Sequence, residues 1–320
     1  MLTRRRLLQV GAASAALSVL PKAMANDVLT IWGPPVTPTV LLAVAAEMGN
    51  ARKIRPFNVK SWQHPDQLRA GLLNGSIQMS VVPSYVAANF RAQGQPVHLY
   101  NIMTNGLLSI MSKGEPITEL KQLAGQKLVM PFKNDMPDLV LQLLAKKHDL
   151  ALQDLVTYTA TPPEAVSLFL QKDFANALLP EPLASLSILK GKQSEVKVSR
   201  SLALGTVWNQ SFGTKYGIPQ AGLMVSETML KENAPFLTAL HQDLSDALVW
   251  IEKNPKQAAE MASNYMPAPI PALERAFPHS ALCALRSTDI QEEILAFMLA
   301  LYELNPKIVG GKKPDVSLFG

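Results

Sequence analysis

The sequence predicts an α/β fold divided into two lobes, each a mostly parallel sheet with flanking helices. Short apolar runs typical of strands alternate with longer amphipathic runs typical of helices, and this alternation favours parallel sheets covered by helices. The length of 320 residues exceeds what one hydrophobic core usually supports, so two lobes are expected.

The first part of the chain begins with a strand, a proline-rich loop and a helix. Strands are predicted at residues 28–32, 59–62, 78–82, 97–103 and 107–111, and helices at 39–48 and 65–74. Three prolines within residues 33–38 favour a loop, because proline lacks an amide donor and fixes φ. Open α/β sheets bind ligands at the carboxyl ends of their strands, where this loop lies.

The second part repeats the scheme. Strands are predicted at residues 127–130, 175–179, 196–198, 202–204 and 222–226, and helices at 137–147, 164–170, 229–254, 255–265 and 288–304. Asn134 or Asp135 is expected to cap the helix that opens with Pro137. Pro180 and Pro182 place Glu181 at the tip of a loop, because proline is excluded from central strands.

The first 25 residues predict an export signal. Arginines at positions 4–6 precede an apolar run at 10–20, the pattern of twin-arginine export. That run is shorter than the roughly 20 residues needed to span a bilayer. Because Ala23 and Ala25 form a signal-peptidase site, we expect cleavage after Ala25, a mature chain that starts at Asn26 or Asp27, and a periplasmic location.

Charge and cysteine content exclude several classes of function. Removing the four basic residues of the signal lowers the net charge from +5 to +1, which leaves no electrostatic case for nucleic-acid or membrane-surface binding. Cys283 is the only cysteine, which excludes an intramolecular disulfide. We interpret the apolar run around it as helical and Cys283 itself as a small buried hydrophobic residue. The five histidines form no pair at helical spacing, so neither a metal nor a cofactor is expected.

Five short segments stand in a characteristic order between residues 27 and 305. They are LNGSIQ at 73–78, GQPV at 94–97, LKQLAGQKL at 120–128, LPEP at 179–182 and EKNPKQA at 252–258. In this order they resemble the periplasmic solute-binding proteins of ABC importers, specifically the nitrate, sulfonate and taurine group that also includes thiamine-precursor binders. Gln78 departs from the pattern, because that group often carries Asp at this position.

The resemblance implies a type II periplasmic-binding fold that holds a ligand between its lobes. The chain would cross between lobes near 104–108 and 216–224, so that lobe one comprises 26–105 plus 225–320 and lobe two comprises 106–224. It also implies a monomer that captures a small organic molecule or anion (sulfonate, nitrate or pyrimidine-like) and delivers it to an ABC permease and its ATPase.

The candidate ligand-binding residues lie in the predicted strand-end loops of both lobes or near the return crossing. They are Trp32, Pro35, Thr37, Ser84, Tyr85, Lys133, Asn134, Asp135, Glu181, Trp208, Asn209 and Gln220. This aromatic and polar set suits a small, partly flat ligand, and Lys133 beside a helix N-terminus could hold an anion. Each has a structural alternative: Trp32 and Tyr85 as core, Lys133 and Glu181 as solvated charges, and the Asn134–Asp135 pair as caps.

Two other classes of function stay open. One is an enzyme on the same fold, although the sequence contains no Gly-x-Ser-x-Gly elbow, paired-histidine motif or glycine-rich phosphate loop, so no catalytic residue is expected. The other is a ligand-sensing partner of a membrane receptor. The sequence alone does not separate that role from import.

The export signal yields the first prediction. Intact-mass measurement on periplasmic extract should give a mature chain that begins at Asn26 or Asp27, because Ala23 and Ala25 present the small side chains that signal peptidase accepts. A mature mass that includes residues 1–25 would contradict it.

Overall fold

The computed structural model describes residues 28–62 and 64–320, so the predicted signal and its cleavage site lie outside the described residues. The strands of this part are β1 (Leu29–Gly33), β2 (Phe57–Ser61), β3 (Met79–Pro83), β4 (Val97–Leu99), β5 (Asn101–Thr104), β6 (Leu108–Lys113), β7 (Leu128–Pro131), β8 (Val156–Thr159), β9 (Asn176–Pro180), β10 (Val198–Ala203), β11 (Ala221–Ser226) and β12 (Leu282–Arg286).

The α-helices of the same residues cover both faces of the sheets. They are α1 (Thr37–Met48), α2 (Ala51–Ile54), α3 (Pro65–Leu73), α4 (Ser84–Ala92), α5 (Met136–Lys147), α6 (Pro162–Gln171), α7 (Leu183–Gln193), α8 (Leu204–Phe212), α9 (Glu227–Glu232), α10 (Ala234–Lys253), α11 (Pro255–Ala262), α12 (Ile270–Ala276) and α13 (Gln291–Leu304). None of these helices is both long and apolar enough to cross a bilayer.

The strands form two sheets, as expected, but each sheet is mixed rather than mostly parallel. The first has the order β12-β5-β11-β3-β1-β2, with β4 also paired to β11, and the second has the order β10-β6-β9-β7-β8. β1 runs parallel to β2 and β3, and β7 runs parallel to β8 and β9. β11 and β6 run antiparallel to all their partners. These two strands enter their sheets directly from the crossings, so they start at the edge where their neighbours end.

The strand register brings one edge of each sheet to the crossings. In the first sheet Ala221 pairs with Pro83 and with Thr104, and in the second Leu108 pairs with Pro180. The loops that follow β1, β3, β7 and β9 therefore lie at the two edges that the crossings join. The boundary predicted at residue 224 falls inside β11, whose partners all belong to the first sheet.

The two crossings are hydrogen-bonded to each other. The amide of Ile218 donates to the carbonyl of Asn105 at 2.9 Å, and the amide of Gln220 donates to the carbonyl of Thr104 at 3.1 Å. The side-chain Oε1 of Gln220 also accepts the amide of Leu107 at 3.1 Å. The connection between the lobes is therefore a paired double strand, which we call the hinge (residues 104–107 and 217–220).

Apolar packing adds a second connection. Helix α13, which we had predicted within lobe one, packs on α5, and the Phe297 ring meets the Trp208 ring of α8 edge-on with centroids 5.4 Å apart. Phe297 is 1% exposed, and burying a side chain of this size stabilises the fold by about 1.5–3 kcal/mol. The C-terminal helix therefore ties both lobes together.

Several predicted elements differ from the structure. The helix predicted at 229–254 is two helices, α9 and α10, separated at Asn233. Cys283 lies in strand β12 rather than in a helix, because a short apolar run does not distinguish the two. It is half-buried, and burial raises the pKa of its thiol to about 12. Strand β8 and helices α2, α4, α7, α8 and α12 were not predicted.

The hinge yields the second prediction. Gly217 has a φ of 89°, and a Cβ there would collide with the carbonyl oxygen of Asn105, whereas Gly213 has a φ of 67° with open space around it. We expect Gly213→Ala to cost about 1 kcal/mol of unfolding free energy and Gly217→Ala about 1–3 kcal/mol more, because only the second adds overpacking to the left-handed backbone. Urea unfolding of both variants measures the difference. Equal losses would contradict the crowding of the hinge.

Candidate functional site

The candidate site lies between the facing edges of the two sheets, where β1 and β3 end in lobe one. Thr37, at the start of α1, is fully buried, and its Oγ1 has no hydrogen-bond partner among the described residues. The indole Nε1 of Trp32, at the end of β1, is also buried and unpartnered. Buried polar groups are nearly always paired, and an unpaired one costs about 1–3 kcal/mol. Five other buried side-chain atoms of the described residues are also unpartnered, namely Asn101 Nδ2, Asn105 Oδ1, Arg200 Nε, His241 Nδ1 and Arg286 Nε. The pair formed by Thr37 and Trp32 is a candidate for contact with an external partner because both groups lie at or just after the end of the same strand, β1.

A cavity of about 360 Å³ opens between the lobes, and neither Thr37 nor Trp32 is among the described residues that line it. Lobe one contributes Trp62, Leu68, Arg69, Pro83, Tyr85, Val86, Asn89 and Phe90, and lobe two contributes Phe132, Lys133, Asn134 and Asp135. Four of the candidate residues thus line one cavity: Tyr85, Lys133, Asn134 and Asp135. Apolar and aromatic side chains with a few polar groups are typical of a small-molecule site.

A hydrogen bond joins the lobes across this cavity. The hydroxyl of Tyr85, at the start of α4, donates to Oδ1 of Asp135 at 2.7 Å. The same oxygen accepts the amide of Met136 at 2.7 Å, so Asp135 is the N-cap of α5, as predicted. Burial raises the pKa of the Tyr85 hydroxyl, and the nearby Asp135 carboxylate raises it further. Tyr85 is therefore a protonated donor at neutral pH.

The loop at residues 132–135, which we call the clamp loop, has a strained backbone. Phe132 and Asn134 both have a φ of 61°, a region that asparagine tolerates and phenylalanine rarely adopts. Such strain costs about 1–3 kcal/mol per residue and persists only where neighbouring structure enforces it. Phe132 is 39% exposed and borders the cavity, and Lys133 Nζ lies 5.5 Å from the centroid of the Tyr158 ring.

The structure corrects the prediction that Glu181 lies at the tip of a loop. It is fully buried, forms an ion pair with Arg200, and accepts the amide of Ser185 at 3.1 Å. β9 ends at Pro180 and α7 begins at Leu183, so the two prolines bracket a strand-to-helix junction rather than a projecting loop. Burial raises the pKa of Glu181, and the Arg200 guanidinium opposes that rise.

Ser84 and Gln220 are fixed to the hinge. The Ser84 hydroxyl donates to the carbonyl of Pro219 at 2.5 Å, and its amide donates to the carbonyl of Gln220 at 3.0 Å. The Gln220 side chain accepts the amide of Leu107. Both side chains are buried, and their contact with a ligand stays a prediction.

Asn209 and Trp208 are also held by their neighbours. Oδ1 of Asn209 accepts the Thr214 hydroxyl and the Gly217 amide, each at 2.7 Å, which organises the turn before the hinge. Trp208 is 3% exposed and its ring lies 4.1 Å from that of Phe212. It belongs to an apolar core cluster against which the partly buried Trp32 and Tyr85 also pack, so the core alternative for those two residues is consistent with the structure. Pro35, by contrast, is half-buried in the loop after β1.

Sequence reasoning missed the other eight described residues that line the cavity, among them Trp62, Arg69 and Phe132. Trp62 directly follows β2, and Phe132 directly follows β7. The rule that selected Trp32, a large side chain where a strand ends, would have found both. Arg69 lies inside α3, where no sequence signal separates it from a solvated arginine.

A second cavity, of about 410 Å³, lies on lobe one beside the tail at 309–318. Its lining mixes the cations Arg91, Lys312 and Lys313 with the acids Glu227 and Asp315. Lobe two contributes no residue to it, so a ligand there would not couple to movement of the lobes.

The fold is that of periplasmic binding proteins, as the resemblance implied. An ABC transporter from Parabacteroides distasonis has a TM-score of 0.77 at 19% identity, covering 92% of this chain and 98% of that chain. The periplasmic aliphatic sulphonate-binding protein SsuA from Escherichia coli has a TM-score of 0.70 at 17% identity, covering 92% and 91%. The periplasmic nitrate-binding protein NrtA from Synechocystis PCC 6803 has a TM-score of 0.60 at 15% identity, covering 78% and 70%. No family model and no curated protein matches the sequence.

The buried ion pair yields the third prediction. Glu181→Ala should lower the free energy of unfolding by about 3 kcal/mol, because it leaves the mostly buried Arg200 guanidinium without its carboxylate. The exposed pair of Glu227 and Lys231 is the matched control, and Glu227→Ala should leave stability almost unchanged because solvent screens the pair. Chemical unfolding measures both. Equal effects of the two substitutions would show that the buried ion pair of Glu181 and Arg200 does not stabilise the fold.

Proposed function

We propose that this chain is the periplasmic solute-binding protein of an ABC importer. In this role it captures a small organic molecule or anion between its lobes and delivers it to a permease and its ATPase. The observation that carries the proposal is the pair of buried, unpartnered groups at the end of β1, Thr37 Oγ1 and Trp32 Nε1. The fold shared with the sulphonate-binding and nitrate-binding proteins supports the same role.

The chemistry of these groups indicates a ligand with acceptor oxygens. The indole N–H is a donor only, and the threonine hydroxyl donates as well as accepts. Helix α1 has 12 residues, and its N-cap, Val36, supplies no side-chain acceptor. Pro38 has no amide donor and the Thr39 amide donates to the Val36 carbonyl at 2.9 Å, so the first turn offers the Thr37 amide to an anion. A sulfonate or nitrate fits this set, and so do the carbonyl oxygens of a pyrimidine. The aromatic residues of the cavity suit the organic part of such a ligand.

Closure of the lobes would complete the site. The ligand-facing loops belong to two lobes, which we place at residues 28–105 with 221–320 and at 106–220. A ligand that contacts both lobes stabilises the closed arrangement by its differential affinity for it. We propose that the protein works as an exported monomer.

A binding role also accounts better for Ser84 than a catalytic role does. The Ser84 hydroxyl donates to a backbone carbonyl, and no histidine or cysteine is among the described residues that line the cavity. An activated serine needs an adjacent base. We therefore propose that the site binds its ligand without turnover.

The fourth prediction tests whether the unpartnered Thr37 hydroxyl binds the ligand. Thr37→Val should weaken binding of an anionic ligand by roughly tenfold or more, because a hydrogen bond to a charged group contributes about 1.5–3 kcal/mol. Its melting temperature should not fall, since the hydroxyl has no hydrogen-bond partner among the described residues. Isothermal calorimetry and thermal unfolding measure the two effects.

The ligand for this test comes from a thermal-shift screen of sulfonates, nitrate, pyrimidines and aromatic carboxylates. A ligand at 100 times its dissociation constant adds about 2.7 kcal/mol of stability. The control variant is Thr159→Val in lobe two, which removes a buried hydroxyl that donates to the Thr161 carbonyl at 2.9 Å and should lower stability but not affinity. If no compound shifts the melting temperature, or if Thr37→Val binds as wild type does, the proposed site is wrong.

A further inference from the structure

The clamp loop is held by a buried carboxylate outside the cavity. Asp138, in the first turn of α5, is fully buried, and its two oxygens accept three hydrogen bonds. Oδ2 accepts the amide of Asn134 at 2.7 Å and Nε2 of Gln142 at 2.9 Å, and Oδ1 accepts the hydroxyl of Tyr158 at 2.8 Å. The carboxylate thus ties the clamp loop to α5 and to strand β8.

This arrangement exceeds what the helix itself requires. Asp135 already caps α5, and an acid in the first turn favours a helix while remaining exposed to solvent. Burying a carboxylate is costly unless its hydrogen bonds are complete. The hydrogen bond to the Asn134 amide accounts for the buried position of Asp138. That amide lies in the backbone between the two left-handed residues, Phe132 and Asn134.

The backbone that Asp138 holds determines what faces lobe one. With Phe132 and Asn134 left-handed, the Phe132 ring borders the cavity and Oδ1 of Asp135 lies 2.7 Å from the Tyr85 hydroxyl. If both residues returned to ordinary negative φ, the loop would take a different path. The contact between Asp135 and Tyr85 would then be lost.

We propose that Asp138 is a positioning residue for ligand capture: it holds the clamp loop in its left-handed backbone, so that Phe132 borders the cavity and Asp135 joins Tyr85 when the lobes close. The inference rests on the proposed function for its consequence on ligand affinity. The loop geometry and the closure of the lobes can be measured without a ligand.

The test compares Asp138→Asn with a matched substitution in lobe one. Asp243 is also a buried helical aspartate whose oxygens accept backbone amides of another segment, those of Asn50 at 2.9 Å and Ala51 at 2.7 Å. Asp243→Asn therefore removes the same chemistry far from the clamp loop. Tyr158→Phe is the milder second variant if Asp138→Asn does not fold, and Tyr85→Phe removes the interlobe bond alone.

Two ligand-free measurements are made on each full-length variant. Hydrogen exchange of the amides at 132–136 should accelerate roughly tenfold in Asp138→Asn and less in Tyr158→Phe, the change expected for a lost bond to a charged group. Small-angle scattering should show larger radii of gyration for Asp138→Asn and Tyr85→Phe than for wild type. Asp243→Asn should lose thermal stability without either change.

With any ligand found in the screen, Asp138→Asn should release it roughly tenfold faster, and Asp243→Asn should release it at the wild-type rate. The proposal is overturned if exchange at 132–136 and the radius of gyration are unchanged in Asp138→Asn, or if Asp243→Asn changes them equally. If wild type binds no compound, the proposed function fails, and the ligand-free measurements still decide the role of Asp138.

Discussion

The backbone pairing of the two crossings is the constraint on which the site depends. Because the amides of Ile218 and Gln220 bond to the carbonyls of residues 104 and 105, β6 and β11 leave the hinge in fixed directions. Their directions decide that the ends of β1, β3, β7 and β9 all reach the interlobe space. The chain that follows β3 and β7, which carries Tyr85 and the clamp loop of the cavity, is positioned in this way.

The polar side chains at the hinge differ from those at the end of β1 in whether their hydrogen bonds are satisfied. Ser84, Gln220 and Asn209 have their polar atoms engaged by neighbouring backbone, so they stabilise the connection. Thr37 and Trp32 carry buried polar atoms that the described protein does not satisfy. This contrast is the basis on which we propose Thr37 and Trp32, and not Ser84, Gln220 or Asn209, as ligand contacts, because buried polar groups in folded proteins are mostly paired.

The sequence predicted most of the strands in their chain order and the proline-rich loop after β1, because alternation and proline positions are local signals. Ligand binding at that loop stays a prediction. The sequence did not predict helices α4 and α8, which begin directly after β3 and β10 with no turn residue between. It misjudged Glu181, whose partner Arg200 is 19 positions away on β10 and is brought to it only by the sheet. The clamp loop was expected as a loop, but the left-handed backbone of Phe132 depends on Asp138 and Tyr158, which no local pattern relates to it.

The position of β11 in the first sheet has a consequence for how the chain folds. β11 lies between β3 and β5, yet more than 100 residues separate it from either strand in sequence, and those residues include all of the second sheet. The second sheet is built from one continuous stretch of sequence. The first sheet is completed only by β11, which follows the second sheet in the chain. Contacts of such large sequence separation form slowly, since chain entropy must be lost before they stabilise anything. Lobe two can therefore fold first during synthesis, and its folding brings β11 back to the first sheet. A substitution that slows the folding of lobe two would then delay the folding of both lobes.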